Sequence, residues 1–171
     1  THLVTAHRLA PSHGRPGRGP RDRGDRRGPR GLPGLALLRP GKASAARLAL
    51  ALARELGPRS VTAVGITPGF LRSEAVLDHF GVTEARWHDG VAADPHFALS
   101  ETPRYAGRAV AALAADPDAA RFAGRVLSSW GLAREYGFTD ADGSRPDWGR
   151  WCADVVAPGR DPRAADPAPY R

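Results

Sequence analysis

From Lys42 onward the chain alternates between stretches of regular apolar spacing and short breaks rich in Gly, Pro and Asp. Leu48, Leu52 and Leu56 recur every fourth residue, beside a small-residue stripe of Ala45, Ala49 and Ala53. That spacing predicts a helix over 42–56 that can approach a neighbour closely. Gly57-Pro58 then ends it. Ser60 to Thr67 carries Val61, Ala63, Val64 and Ile66 on both faces, which predicts a parallel strand covered on both sides. Pro68-Gly69 breaks the strand. A short helix is expected over 72–80, closed by Gly81, followed by an irregular stretch over 82–100. Ser100 or Thr102 suits the cap of a further helix over 102–115, with Pro103 in its first turn and Ala106, Val110 and Leu113 on its apolar face. Residues 125–130 read as a second strand, and 146–171 as a polar, Pro-rich tail.

The N-terminal quarter differs in kind. Leu3, Ala6 and Ala10 give Thr1 to Ala10 a weak helical period. Residues 11–41 hold eight glycines and six prolines, and no aliphatic or aromatic residue before Leu32. Such a segment buries too little apolar surface to offset its ordering entropy, so disorder is expected. Helix followed by strand across a short connection is half of a βαβ unit. The chain therefore reads as 1–41, a remnant helix plus an Arg/Gly/Pro-rich segment; 42–145, a helix–strand domain; and 146–171, the tail.

Charge adds little to this picture. The net +7 is concentrated: 11–41 holds eight arginines against two aspartates, and the rest is near neutral. An RNA-binding tail is disfavoured, because no aromatic residue interleaves the arginines to stack on bases. The single cysteine, Cys152, excludes an internal disulfide framework and points to a reducing cytoplasm. No apolar run approaches the roughly 20 residues of a membrane span. The absence of methionine and of a signal pattern suggests an internal start or a fragment.

Few motifs survive inspection. Gly14-Arg-Pro-Gly17-Arg-Gly19 has no strand before it and is not a dinucleotide fingerprint. Asp140-Ala-Asp142-Gly143 reads as a turn, since Trp151 stands where a calcium loop needs its bidentate glutamate. His7, His13, His79, His88 and His96 have no zinc-site spacing. Asp94, His96 and Ser100 lack a nucleophile elbow. Trp87 and His88 could line a substrate pocket in the loop, but read first as ordinary loop residues.

From Lys42 on, the ordered series of lysine, helix, strand, Pro68-Gly69, variable loop, helix and strand resembles the C-terminal part of the short-chain dehydrogenases/reductases. The resemblance covers roughly 42–145, with Thr1 to Ala10 matching the preceding helix. It implies an incomplete α/β Rossmann-type three-layer domain: the C-terminal part of a parallel sheet with flanking helices, its N-terminal strands missing. It further implies hydride transfer between NAD or NADP and a small carbonyl or alcohol substrate. Lys42 would bond the nicotinamide ribose and lower the pKa of a tyrosine four residues earlier, as a nearby ammonium favours a phenolate. Pro68, Gly69 and the backbone of Phe70 and Leu71 would border the nicotinamide. The helix over 42–56 would contribute to a homo-oligomeric interface.

Two departures matter. Leu38 occupies the tyrosine position and has no ionisable proton. The Gly-rich fingerprint is absent, so the written chain lacks a phosphate cradle and is expected to be inactive. A frameshift accounts for both the odd composition of 11–41 and Leu38. Read one nucleotide late, Arg21 to Asp25 can encode a Val-Ile-Val-Glu-Ile strand, with threonine equally allowed at the two aspartates, and Leu38 can encode tyrosine, serine or phenylalanine. A non-catalytic fragment or interaction module built on Leu48, Leu52 and Leu56 is the alternative. With two strands left, the edges of Val61 to Ile66 are expected to be exposed and prone to aggregation.

Overall fold

The computed structural model describes residues 2–7 and 39–171, with side chains from Ala43 onward. Leu38, the frameshift reading of 11–41 up to Leu38, and the side chain of Lys42 lie outside the described residues.

The chain forms an α/β structure around strand β2 (Val61–Thr67). Helix α1 (Arg39–Leu56) precedes it and packs on it. After β2 come a short strand β3 (Phe70–Leu71), helix α2 (Glu74–Phe80) and 3-10 turns over Glu84–Ala92 and Pro95–Leu99. Strand β4 (Ser100–Glu101) leads into α3 (Pro103–Ala115). Strand β5 (Val126–Ser128) runs directly into α4 (Ser129–Tyr136), and α5 (Trp148–Trp151) continues as one turn of π-helix over Cys152–Val156.

β5 lies parallel to β2, pairing Gly65 with Val126 and Thr67 with Ser128. The helix–strand–helix–strand order thus delivers the parallel crossover its pattern predicts. Strand alternation sends Val64 and Ile66 to one face. There they meet Ala109 and Leu113 of α3, Leu127 of β5 and Leu132 of α4. Val61 and Ala63 are buried on the other face, towards α1.

Several expectations are corrected. His2–His7 is a strand, β1, not the end of a helix. It pairs antiparallel along the whole of β2, His2 against Ile66 and His7 against Val61. The weak i, i+3 period of Leu3 and Ala6 loses to the ladder offered by β2's open edge. With β1 on one side and β5 on the other, β2 is central, so its edges are not exposed. Residues 129–130 belong to α4, because the Ser128 hydroxyl accepts the Gly131 N–H at 3.1 Å and caps a helix there. In α1 the alanine stripe faces inward: Ala49 is fully buried, whereas Leu48 is 48% exposed. Close packing on a sheet admits a methyl more readily than an isobutyl group. On α3 Leu113 is buried as expected, while Tyr105 and Ala109 are the buried residues where the pattern predicts Ala106 and Val110; Val110 packs at the margin of that core.

The polar, Pro-rich stretch 146–171 packs on the rest of the chain. Trp151 and Val155 are buried against Ala98 and Leu99, with Trp148 and Tyr170 at the margin. Two tryptophans in a polar segment supply enough apolar area to build a second core. Asp140 to Gly143 forms the expected turn, closed by the Gly143 N–H donating to the Asp140 carbonyl at 3.1 Å.

Candidate functional site

In a parallel sheet, ligands bind beyond the carboxyl ends of the strands, because loops leave a crevice there. β2 ends at Thr67 and β5 at Ser128, side by side in register. The Pro68–Leu71 turn leaves β2 at this end. Its four residues are half-buried.

Three elements converge on that turn. β3 pairs parallel with β4, setting Phe70 against Ser100 and Leu71 against Glu101. Phe70 packs edge-on to Phe97 and Trp148, with centroids 5.3 and 6.0 Å away. Trp148 also crowds Gly69: a Cβ there would stand 2.8 Å from the Trp148 Cβ. Real Cβ atoms do not approach so closely, so only glycine fits.

Glu101 is the charged group at the centre. It is fully buried. Its Oε2 accepts the Gly69 N–H at 3.0 Å and the Ser129 hydroxyl at 2.7 Å. Its Oε1 is buried without a hydrogen-bond partner. Burial pushes its carboxyl up from the ordinary carboxylate range to about 7; the bonds from Ser129 and Gly69 oppose this, and Asp140 adds to it. The next residue, Thr102, is expected to cap α3 through its side chain. Instead its hydroxyl and backbone N–H both bind Asp140, the latter at 2.8 Å. Tyr105 lies nearby with its hydroxyl donating to the Pro146 carbonyl at 3.5 Å, and burial raises its pKa.

Arg72 follows the turn. It is buried, donates to the Ser100 carbonyl at 3.2 Å, pairs with Glu84 at 3.1 Å and lies 4.1 Å above the Trp87 ring. Trp87 is thus a core residue rather than a loop ornament, while His88 is exposed. His96 accepts the Trp151 indole N–H at Nδ1, 2.9 Å away, so its place is structural. Among the described residues no cluster of His, Cys, Asp and Glu is arranged to hold a metal.

The structure therefore brings Pro68, Gly69, Phe70 and Leu71 together at the strand ends. Glu101, Ser129, Arg72 and Trp148 are the neighbours that pattern reading misses. The available signal is faint: Glu101 is a lone carboxylate between the apolar run 97–99 and a helix start.

No protein-family profile matches the chain. Two curated proteins are similar to it. Dehydrogenase/reductase SDR family member 1 of Mus musculus is 39% identical over 105 residues, and that of Homo sapiens 36% over 110. Each match covers 60% of this chain and 33% of the relative, so the chain spans about a third of their length. These matches support a relationship to the short-chain dehydrogenase/reductase family in a partial region.

Proposed function

We propose that this chain is the nicotinamide-side, C-terminal part of an NAD(P)-dependent short-chain oxidoreductase acting on a small carbonyl or alcohol substrate in the cytoplasm. The observation that carries the reading is the half-buried Pro68–Leu71 turn at the joint carboxyl ends of parallel β2 and β5. Relatives 36–39% identical over 60% of the chain support it. A bound nicotinamide supplies the hydride. The residues present suit the nicotinamide end of such a cofactor and not its pyrophosphate, because no Gly-rich turn precedes a helix among the described residues. Pro68, Gly69, Phe70 and Leu71 would line the ring. Lys42, on the first turn of α1, would hold the ribose. Leu38 cannot give or take a proton, so the written chain does not turn over.

The DNA encoding the residues before Thr1, and 11–41 in the alternative frame, tests this. An upstream Gly-rich fingerprint and a tyrosine codon at position 38 are expected. Stops in the shifted frame remove the frameshift. An upstream region without a fingerprint removes the oxidoreductase reading. Sustained oxidation of NADH or NADPH by the 171-residue chain with a carbonyl substrate refutes inactivity.

A second reading has its own observation. Leu48 and Leu50 of α1 are 48% and 39% exposed, which favours an oligomeric contact through this helix. A monomer at every concentration in light scattering removes it.

A further inference from the structure

The Pro68–Leu71 turn is held by one side chain from a different element. Glu101 Oε2 accepts from Gly69, just past the end of β2, and from Ser129, just past the end of β5. A single oxygen therefore spans the carboxyl ends of both parallel strands. The backbone is tied at the same place, since the Arg72 N–H donates to the Glu101 carbonyl at 2.8 Å. A Cβ at Gly69 would stand 3.1 Å from Glu101 Oε2 and 2.8 Å from the Trp148 Cβ, so the turn packs closely between the carboxylate and the Trp148 side chain.

A neutral amide would accept the same two hydrogen bonds without the desolvation cost of a carboxylate. That cost is only partly offset here, because Oε1 is buried and has no partner. A charge kept at such a cost, at the mouth of a crevice, is better explained by what it holds than by stability.

We propose that Glu101 is a positioning residue. Its carboxylate anchors the Gly69 amide against Ser129 and so sets where the Pro68–Leu71 backbone stands in the crevice. The inference rests on reading that crevice as a nicotinamide site. The charged and titratable groups facing Glu101 are Asp140 from the loop after α4, Arg72 beyond β3 and Tyr105 on α3. Burial brings the carboxyl to about 7, so it changes charge near neutral pH. The ionised form grips the Gly69 N–H more strongly, charge-assisted hydrogen bonds being about twice as strong as neutral ones.

The test is amide NMR of the full, 15N-labelled chain across neutral pH. In the wild type the Gly69 amide shift follows one inflection near 7. In Glu101→Gln the amide keeps a hydrogen-bonded shift but loses the inflection. A wild-type Gly69 amide that ignores pH overturns the proposal, as does an inflection that survives in Glu101→Gln. Ser129→Ala guards against a misfolded glutamine variant. It removes a bond to the carboxylate, so the inflection moves to higher pH; an unmoved inflection overturns the proposal.

A second arm separates this inference from the reading beneath it. Nicotinamide mononucleotide, which needs no pyrophosphate cradle, is added above and below the inflection. The expected perturbation of Gly69 is larger above it. Perturbation independent of pH and of Glu101 overturns the positioning role while sparing the nicotinamide reading. A Gly69 amide that titrates with Glu101 but ignores the mononucleotide supports the anchoring by Glu101 and removes the nicotinamide reading.

Discussion

Replacing Glu101 with glutamine changes the pH dependence of stability by an amount the structure sets. The native carboxyl titrates at about 7 against an ordinary value of 4.5. The folded state therefore holds its proton more tightly than the unfolded chain. Linkage then makes stability fall as pH rises from the unfolded value through the folded one. Well below 4.5 the carboxyl is protonated in both states and costs nothing. At the high end the folded state must carry a buried charge. With those two values, stability falls by about 2–3 kcal/mol between about pH 5 and about pH 8 from this group alone. Glutamine keeps the acceptor for Gly69 and Ser129 and removes the titration. It leaves a buried N–H2 in place of Oε1, a loss of about 1–3 kcal/mol that does not vary with pH. Urea melts of both proteins at several pH values measure this. The stability difference between variant and wild type should move by about 2–3 kcal/mol in favour of the variant as pH rises. Titrating groups away from Glu101 cancel in that difference. Parallel profiles would mean that Glu101 titrates normally in the folded protein, and the account of its burial would be wrong.

Other perturbations probe the surrounding packing. Gly69→Ala forces a methyl against Trp148 and Glu101, and overpacking of this kind lowers stability by about 1–3 kcal/mol in a thermal melt. Leu113→Ala empties a site shared by α3, β2, β5 and α4, for about 2–5 kcal/mol by urea denaturation. Trp151→Phe keeps an aromatic ring in the second core but deletes the indole N–H donated to His96. The expected loss is about 1 kcal/mol, together with a changed His96 ring shift by NMR. An unchanged ring shift would mean the bond is absent in solution.

Long periodic stretches were legible because their signal is local. The helix over 42–56, the strand over 61–67, the helix ending at Phe80 and the helix over 102–115 each carry their own apolar spacing and their own stops. Leu48 shows the limit of that reading. Spacing finds a stripe, but the distance between helix and sheet decides that alanine rather than leucine goes inward. His2–His7 shows another: a strand without strong alternation forms only because β2 offers an unpaired edge many residues away.

The order of elements and the Pro68-Gly69 break were properties of the chain alone, because each depends on neighbours a few residues apart. Leu38, which cannot carry a proton, is likewise written in the chain. The candidate site was not. Gly69, Glu101 and Ser129 are separated by about thirty residues at each step and meet only when β3 pairs with β4 and β5 aligns with β2. Burial then turns an ordinary glutamate into one that titrates near neutrality, since a carboxylate's charge is costly only where water has been removed. Water is removed by the packing of distant segments, and that packing exists only in the folded molecule.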